Sequence, residues 1–85
     1  MSERLKLEGR LSEAMREARA LRLQIEGLVR GMRDNLDLYT DMAELRLDMV
    51  LEQAAQAFGA QEDLRRIVKR MKDMERDLGA PGARS

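Results

Sequence analysis

The chain has 85 residues, 44% of them hydrophobic but only 2% aromatic, and its 38% charged residues cancel to a net charge of zero. It contains no cysteine and no histidine, which excludes disulfides, thiolate and imidazole metal ligands, thiol nucleophiles and every histidine-based catalytic arrangement. A chain of this size makes one small domain with little stability in reserve, so self-association is expected from the outset.

Leucine and seven methionines supply most of the apolar content, and there is one proline, the composition of a helical or coiled-coil chain. The opening "MSERLKLEGR" lacks the apolar centre of a signal peptide. No apolar run approaches the roughly 18–20 residues of a membrane span, so the expected compartment is the cytoplasm and no membrane partner is expected.

The first segment predicts a helix over 3–31 or slightly beyond. Leu7, Leu11, Ala14, Ala18, Leu21, Ile25, Leu28 and Met32 recur at alternating spacings of four and three, the stripe of a helix that buries one narrow seam. Arg22 with Glu26 and Glu26 with Arg30 stand four apart on its exposed surface and add a few tenths of a kcal/mol at most.

Gly27 and Gly31 end this pattern ambiguously, because each costs about 1 kcal/mol relative to alanine inside a helix. In one reading Gly31 lies past a helix end and Asp34 caps the next helix, so that two antiparallel helices are joined by a short loop. In the other, the four-three stripe continues through Asn35, Tyr39, Met42 and Met49 and the helix crosses without a break. Their GxxxG spacing permits close helix approach, but it carries its strong meaning in apolar membrane spans, and here Arg30 and Arg33 surround it.

The middle segment predicts a helix over 35–58 with two apolar faces. Leu36, Tyr39, Ala43, Leu47, Val50, Ala54 and Phe58 share a broad one, and Leu38, Met42, Leu45 and Met49 form a second stripe roughly opposite. A helix apolar on two sides needs two neighbours, so the second stripe is the candidate partner-binding surface. Asp37, Asp41, Glu44, Asp48 and Glu52 run between the stripes as a carboxylate ridge. Oxygen ligands alone could hold magnesium, but the dense Glu-x-x-Glu pattern of an all-α pyrophosphohydrolase is missing, and a solvated or arginine-paired face is the expectation.

"FGAQ" at 58–61 offers a second break, with Gly59 ending the middle helix. A third helix is then expected over 61–78, its face formed by Leu64, Ile67, Val68, Met71, Met74 and Leu78. Gly79 and Pro81 mark its stop, leaving 80–85 as a disordered tail of the single domain 1–79. Arg65, Lys69, Lys72 and Arg76 lie at spacings of four, three and four, a basic stripe that could contact phosphates. Five acidic residues share that helix, and the aromatics that would stack on bases are missing.

Charge is also distributed unevenly along the chain. Residues 1–33 hold eight basic and five acidic side chains, 34–58 one and six, and 59–85 seven and five. An acidic middle between basic flanks suits a chain that folds back on itself, with the acidic helix against basic partners.

Without histidine, a Ser-x-x-Lys pair, a P-loop or a dinucleotide fingerprint, neither catalysis nor a cofactor has support. No resemblance to a known family is legible. The expected fold is all-α, an antiparallel bundle of three helices or a long helix with a short one folded back, completed by homodimerisation. The expected function is that of a small non-enzymatic interaction protein that binds itself or another helical protein. The alternative is a small nucleic-acid-binding regulator using Arg65, Lys69, Lys72 and Arg76.

Overall fold

The computed structural model describes residues 2–84, with side chains described for residues 2–79. Two long helices, α1 over Glu3–Asn35 and α2 over Leu47–Arg84, pack side by side as a hairpin. Residues 36–46 connect them and contain one short 3-10 turn, Met42–Glu44. The tail expected over 80–85 lies outside the residues whose side chains are described.

The start of α1 follows from its sequence. Ser2 caps it, its Oγ accepting from the Leu5 amide at 3.2 Å, and Glu3 occupies the first turn, where a carboxylate suits the positive end of the helix dipole. The four-three stripe then faces α2 as expected. Ala14 and Ala18 are buried against Ile67 and Met74, and Leu7, Leu11, Leu21, Leu64 and Met71 pack around them. Two alanines one turn apart leave room for the larger side chains of α2 and bring the helices close together at this point.

Two long helices form a hairpin, closer to the long helix with a helix folded back than to the bundle of three. The helix passes through Gly27 and Gly31 to Asn35 and ends only there; α2 passes through Gly59 without interruption. A glycine costs about 1 kcal/mol in a helix interior, less than the burial of one neighbouring apolar side chain returns. Ala60, next to Gly59, is buried, and stopping the helix there would have removed it from the seam.

The chain reverses where polar side chains compete for the backbone. Asp37 Oδ1 accepts from the Tyr39 amide at 2.9 Å, and Asp41 Oδ1 accepts from the Ala43 amide at 3.0 Å. Backbone bonds from Thr40 to Asp37 and from Glu44 to Asp41 close two turns. Side-chain capture of amides two residues ahead offers the backbone an alternative to the helix ladder. The connection needs no residue with positive φ.

Gly31 has a separate explanation. A Cβ placed there would come within 2.5 Å of Gln53 Nε2, so the absent side chain makes room for the Gln53 amide. The same amide accepts through Oε1 from Asn35 Nδ2 at 3.0 Å, fastening the last turn of α1 to α2. At the opposite end of the hairpin Arg4 Nη1 donates to the Leu78 carbonyl at 2.9 Å.

These are the polar ties across the seam among the described residues, and the acidic middle is not held against basic partners. Among the described residues every ion pair joins side chains two to four apart, as in Arg4 with Glu8, Glu26 with Arg30 and Glu62 with Arg65. Burial of the apolar stripe therefore holds the helices together, and the exposed pairs contribute little.

The hairpin is one helix thick. Its principal extents are 62 × 23 × 14 Å and its radius of gyration is 19.0 Å, against about 12 Å for a compact chain of this length. Among the described residues only Ala14, Ala18, Ala60, Ile67 and Met74 are buried, and no large side chain is completely enclosed.

Two expectations follow for urea denaturation. Ile67→Ala should cost about 2–5 kcal/mol. Gly27→Ala and Gly59→Ala, with open space around the new methyl, should each stabilise by up to about 1 kcal/mol. Gly31→Ala should gain less, and Gln53→Ala should abolish that difference.

Candidate interaction surface

The two broad sides of the hairpin differ in chemistry. One carries Glu17, Gln24, Asp63, Arg66 and Arg70 beside the seam, with Arg10 and Glu13 further along. Polar and charged groups of both signs cover the apolar seam there, and Arg66 is bound to Asp63.

The other side is apolar over its half nearest the connection. Ile25, Val29 and Met32 of α1 and Ala54, Ala57 and Phe58 of α2 line a shallow groove that ends at Gln61. The groove continues along α2 past Leu64 and Val68, where Arg65, Lys69 and Lys72 border it. Phe58 is 61% exposed and Leu51, two turns earlier on the same stripe, is 73% exposed. This stripe lies beside, not on, the arc of α2 that faces α1, which Gln53, Ala60, Ile67 and Met74 occupy.

Leu38, Met42, Leu45 and Met49 do not form the helical stripe that their spacing suggests. Leu38 and Leu45 lie in the connection, Met42 in the 3-10 turn and Met49 in the first turn of α2. A four-three spacing has meaning only where the backbone is helical, and Asp37 and Asp41 divert it into turns. Leu38 is 86% exposed, so this apolar surface is presented from a loop.

The carboxylate ridge is likewise redistributed. Asp37 and Asp41 cap turns, Glu44 sits in the 3-10 turn and Asp48 opens α2. Among the described residues no three acidic side chains converge as a metal-ligand set. Asp48 instead accepts from Arg46, Nε to Oδ1 at 3.1 Å and Nη2 to Oδ2 at 3.0 Å. The Arg46 hydrogen bonds, followed by one from the Met49 amide, hold the Asp48 carboxyl below its ordinary pKa, and the same pairing raises that of Arg46.

The basic stripe is retained on α2, and three of its members, Arg65, Lys69 and Lys72, border the same groove. Arg65 is engaged by Glu62 at 3.2 Å and Arg76 by Asp73 at 3.0 Å. The apolar part of the surface, centred on Phe58, was not singled out as a site by the sequence. Leu47, Ala54 and Phe58 were legible as part of the broad face of the middle helix, which the sequence assigned to packing within the chain.

Comparison with family models, curated proteins and solved structures finds no match. Among the described residues no helix is long and apolar enough to cross a membrane.

The Arg46–Asp48 pair generates a pH dependence of definite sign. A carboxyl with a lowered folded-state pKa stabilises above the ordinary carboxylate range and loses that contribution as pH falls through its own lowered value. The first turn of α2 should therefore fray in acid before the seam does. The Met49 amide resonance should titrate with Asp48, and Asp48→Asn should abolish that titration while leaving the Ile67 amide unchanged.

Proposed function

We propose that the chain is a non-enzymatic helical interaction protein, an adaptor, assembly or chaperone-like subunit that works by burying the apolar side of its hairpin against itself or another helical protein. The reading rests on Phe58 and its neighbours: a row of large apolar side chains faces water on a hairpin one helix thick, where stable domains place a second layer. Contiguous apolar surface of this kind marks an interaction site. Burial would contribute roughly 25 cal/mol per Å² before the costs of association, with the charged borders fixing orientation.

A size argument supports the same reading. For a mass of 9.8 kDa a compact monomer exposes about 5,200 Å², whereas this chain exposes 6733 Å². The surplus of about 1,500 Å² exceeds the roughly 800 Å² that each partner contributes to a standard interface.

A second reading, a small nucleic-acid-binding regulator, is favoured by the alignment of Arg65, Lys69 and Lys72 along one groove. Binding of that kind would weaken steeply with added salt and on Lys69→Glu with Lys72→Glu.

Chemical crosslinking in the cells that produce the chain tests the primary reading against an internal control. Phe58→Arg should abolish the crosslinked complexes. Leu23→Arg, at an equally exposed position on the outer face of α1, should leave them intact. Persistence of every complex in Phe58→Arg would rule the apolar side out.

A further inference from the structure

We propose that the apolar side is covered by a second copy of this chain running antiparallel, with a two-fold axis beside Ala54. The proposal rests on the reading of that side as an interaction surface and adds its occupant and register.

The first support is positional. Leu47, Leu51, Ala54, Phe58 and Gln61 follow one another on α2 at spacings of four, three, four and three, and so share one stripe. This series is self-complementary on reversal about its middle member. In an antiparallel pair Leu51 of one copy meets Phe58 of the other, Leu47 meets Gln61, and Ala54 meets itself. A small residue then sits where the two helices approach most closely, and the large ones flank it. A two-fold interface requires this kind of self-complementarity, residue i on j and j on i.

Charge supports the same orientation. Beyond Leu47 lies the acidic connection with Asp41 and Glu44; beyond Gln61 lie Arg65 and Lys69 on the border of the groove. Reversal about Ala54 brings the connection that carries Asp41 and Glu44 to the end of the groove bordered by Arg65 and Lys69. A parallel pair would stack Glu44 on Glu44 and Lys69 on Lys69, and like charges facing each other select against that arrangement. The uneven charge of the sequence, unused within the hairpin, thereby gains a role between copies.

Area and thickness agree. Each hairpin has a surplus of exposed surface large enough for a standard interface, and two hairpins of 14 Å thickness stacked through their apolar sides form the two-layered core that one lacks.

The absence of native cysteine makes disulfide trapping a clean test. Light scattering of the unaltered chain should give the mass of two copies. On mild oxidation, Leu47→Cys alone and Gln61→Cys alone should stay unlinked, and an equimolar mixture of the two should yield covalent dimers. Crosslinking of Leu47→Cys with itself would establish a parallel pair and overturn the proposal, as would a monomer at all concentrations. A monomer whose heterologous complexes are still lost on Phe58→Arg would remove the second copy while leaving the interaction surface standing. Should the cysteine variants fail to fold, charge exchange gives an independent readout. Arg65→Glu should weaken dimerisation about two- to five-fold, the scale of an exposed ion pair, and Glu44→Lys in the same chain should restore it; absence of restoration would overturn the register.

Discussion

The close approach of Ala14 and Ala18 to Ile67 and Met74 is the contact on which the rest of the structure depends. Small residues on α1 let the larger side chains of α2 reach across, so that a narrow stripe on each helix becomes a shared core. The alignment of α2 beside α1 follows from this seam and is fastened at its ends by Arg4 with Leu78 and by Asn35 with Gln53. Electrostatics contributes little to holding the helices, since the ion pairs are local and exposed.

A seam of this width leaves the hairpin poorly covered. An unfolded chain of this mass would expose about 14,000 Å², so folding to 6733 Å² removes only about half of it from water. Entropy opposes the ordering of every residue, and two helices with five buried side chains among the described residues have little to set against it. The two broad sides deal with this differently. On one, Glu17, Gln24, Arg66 and Arg70 border the seam with groups that water solvates well; on the other, Ile25, Val29, Ala57 and Phe58 extend the apolar surface outward. The same hairpin is thus finished on one side and unfinished on the other, which is the physical basis for assigning it a role in association.

The connection shows how small local energies place a boundary. In the connection Asp37 and Asp41 accept from backbone amides two residues ahead, bonds that a continuing helix would not offer. At Gly31 and Gly59 the balance ran the other way. Gly31 accommodates Gln53, and the helix through Gly59 keeps Ala60 in the seam. Glycine is therefore a weaker stop here than a short run of aspartates outside the packed region.

The sequence by itself determined the all-helical class, the four-three stripe of the first helix, the face of Leu64, Ile67, Met71 and Met74, and the exclusion of thiol and imidazole chemistry. These follow from residue type and local period, which need no knowledge of what lies opposite. Which breaks would form was decided only by the tertiary structure, because each candidate involved about 1 kcal/mol of local preference and contacts across the seam settled the sum. The candidate surface depended on the same decision. The spacing of Leu38, Met42 and Leu45 makes a stripe only on a helix, and the chain turns between 36 and 46; Leu47, Ala54 and Phe58, legible as an apolar face, are left facing outward with Leu51. A period tells which residues share a face, but only the packed partner determines which face remains for another molecule.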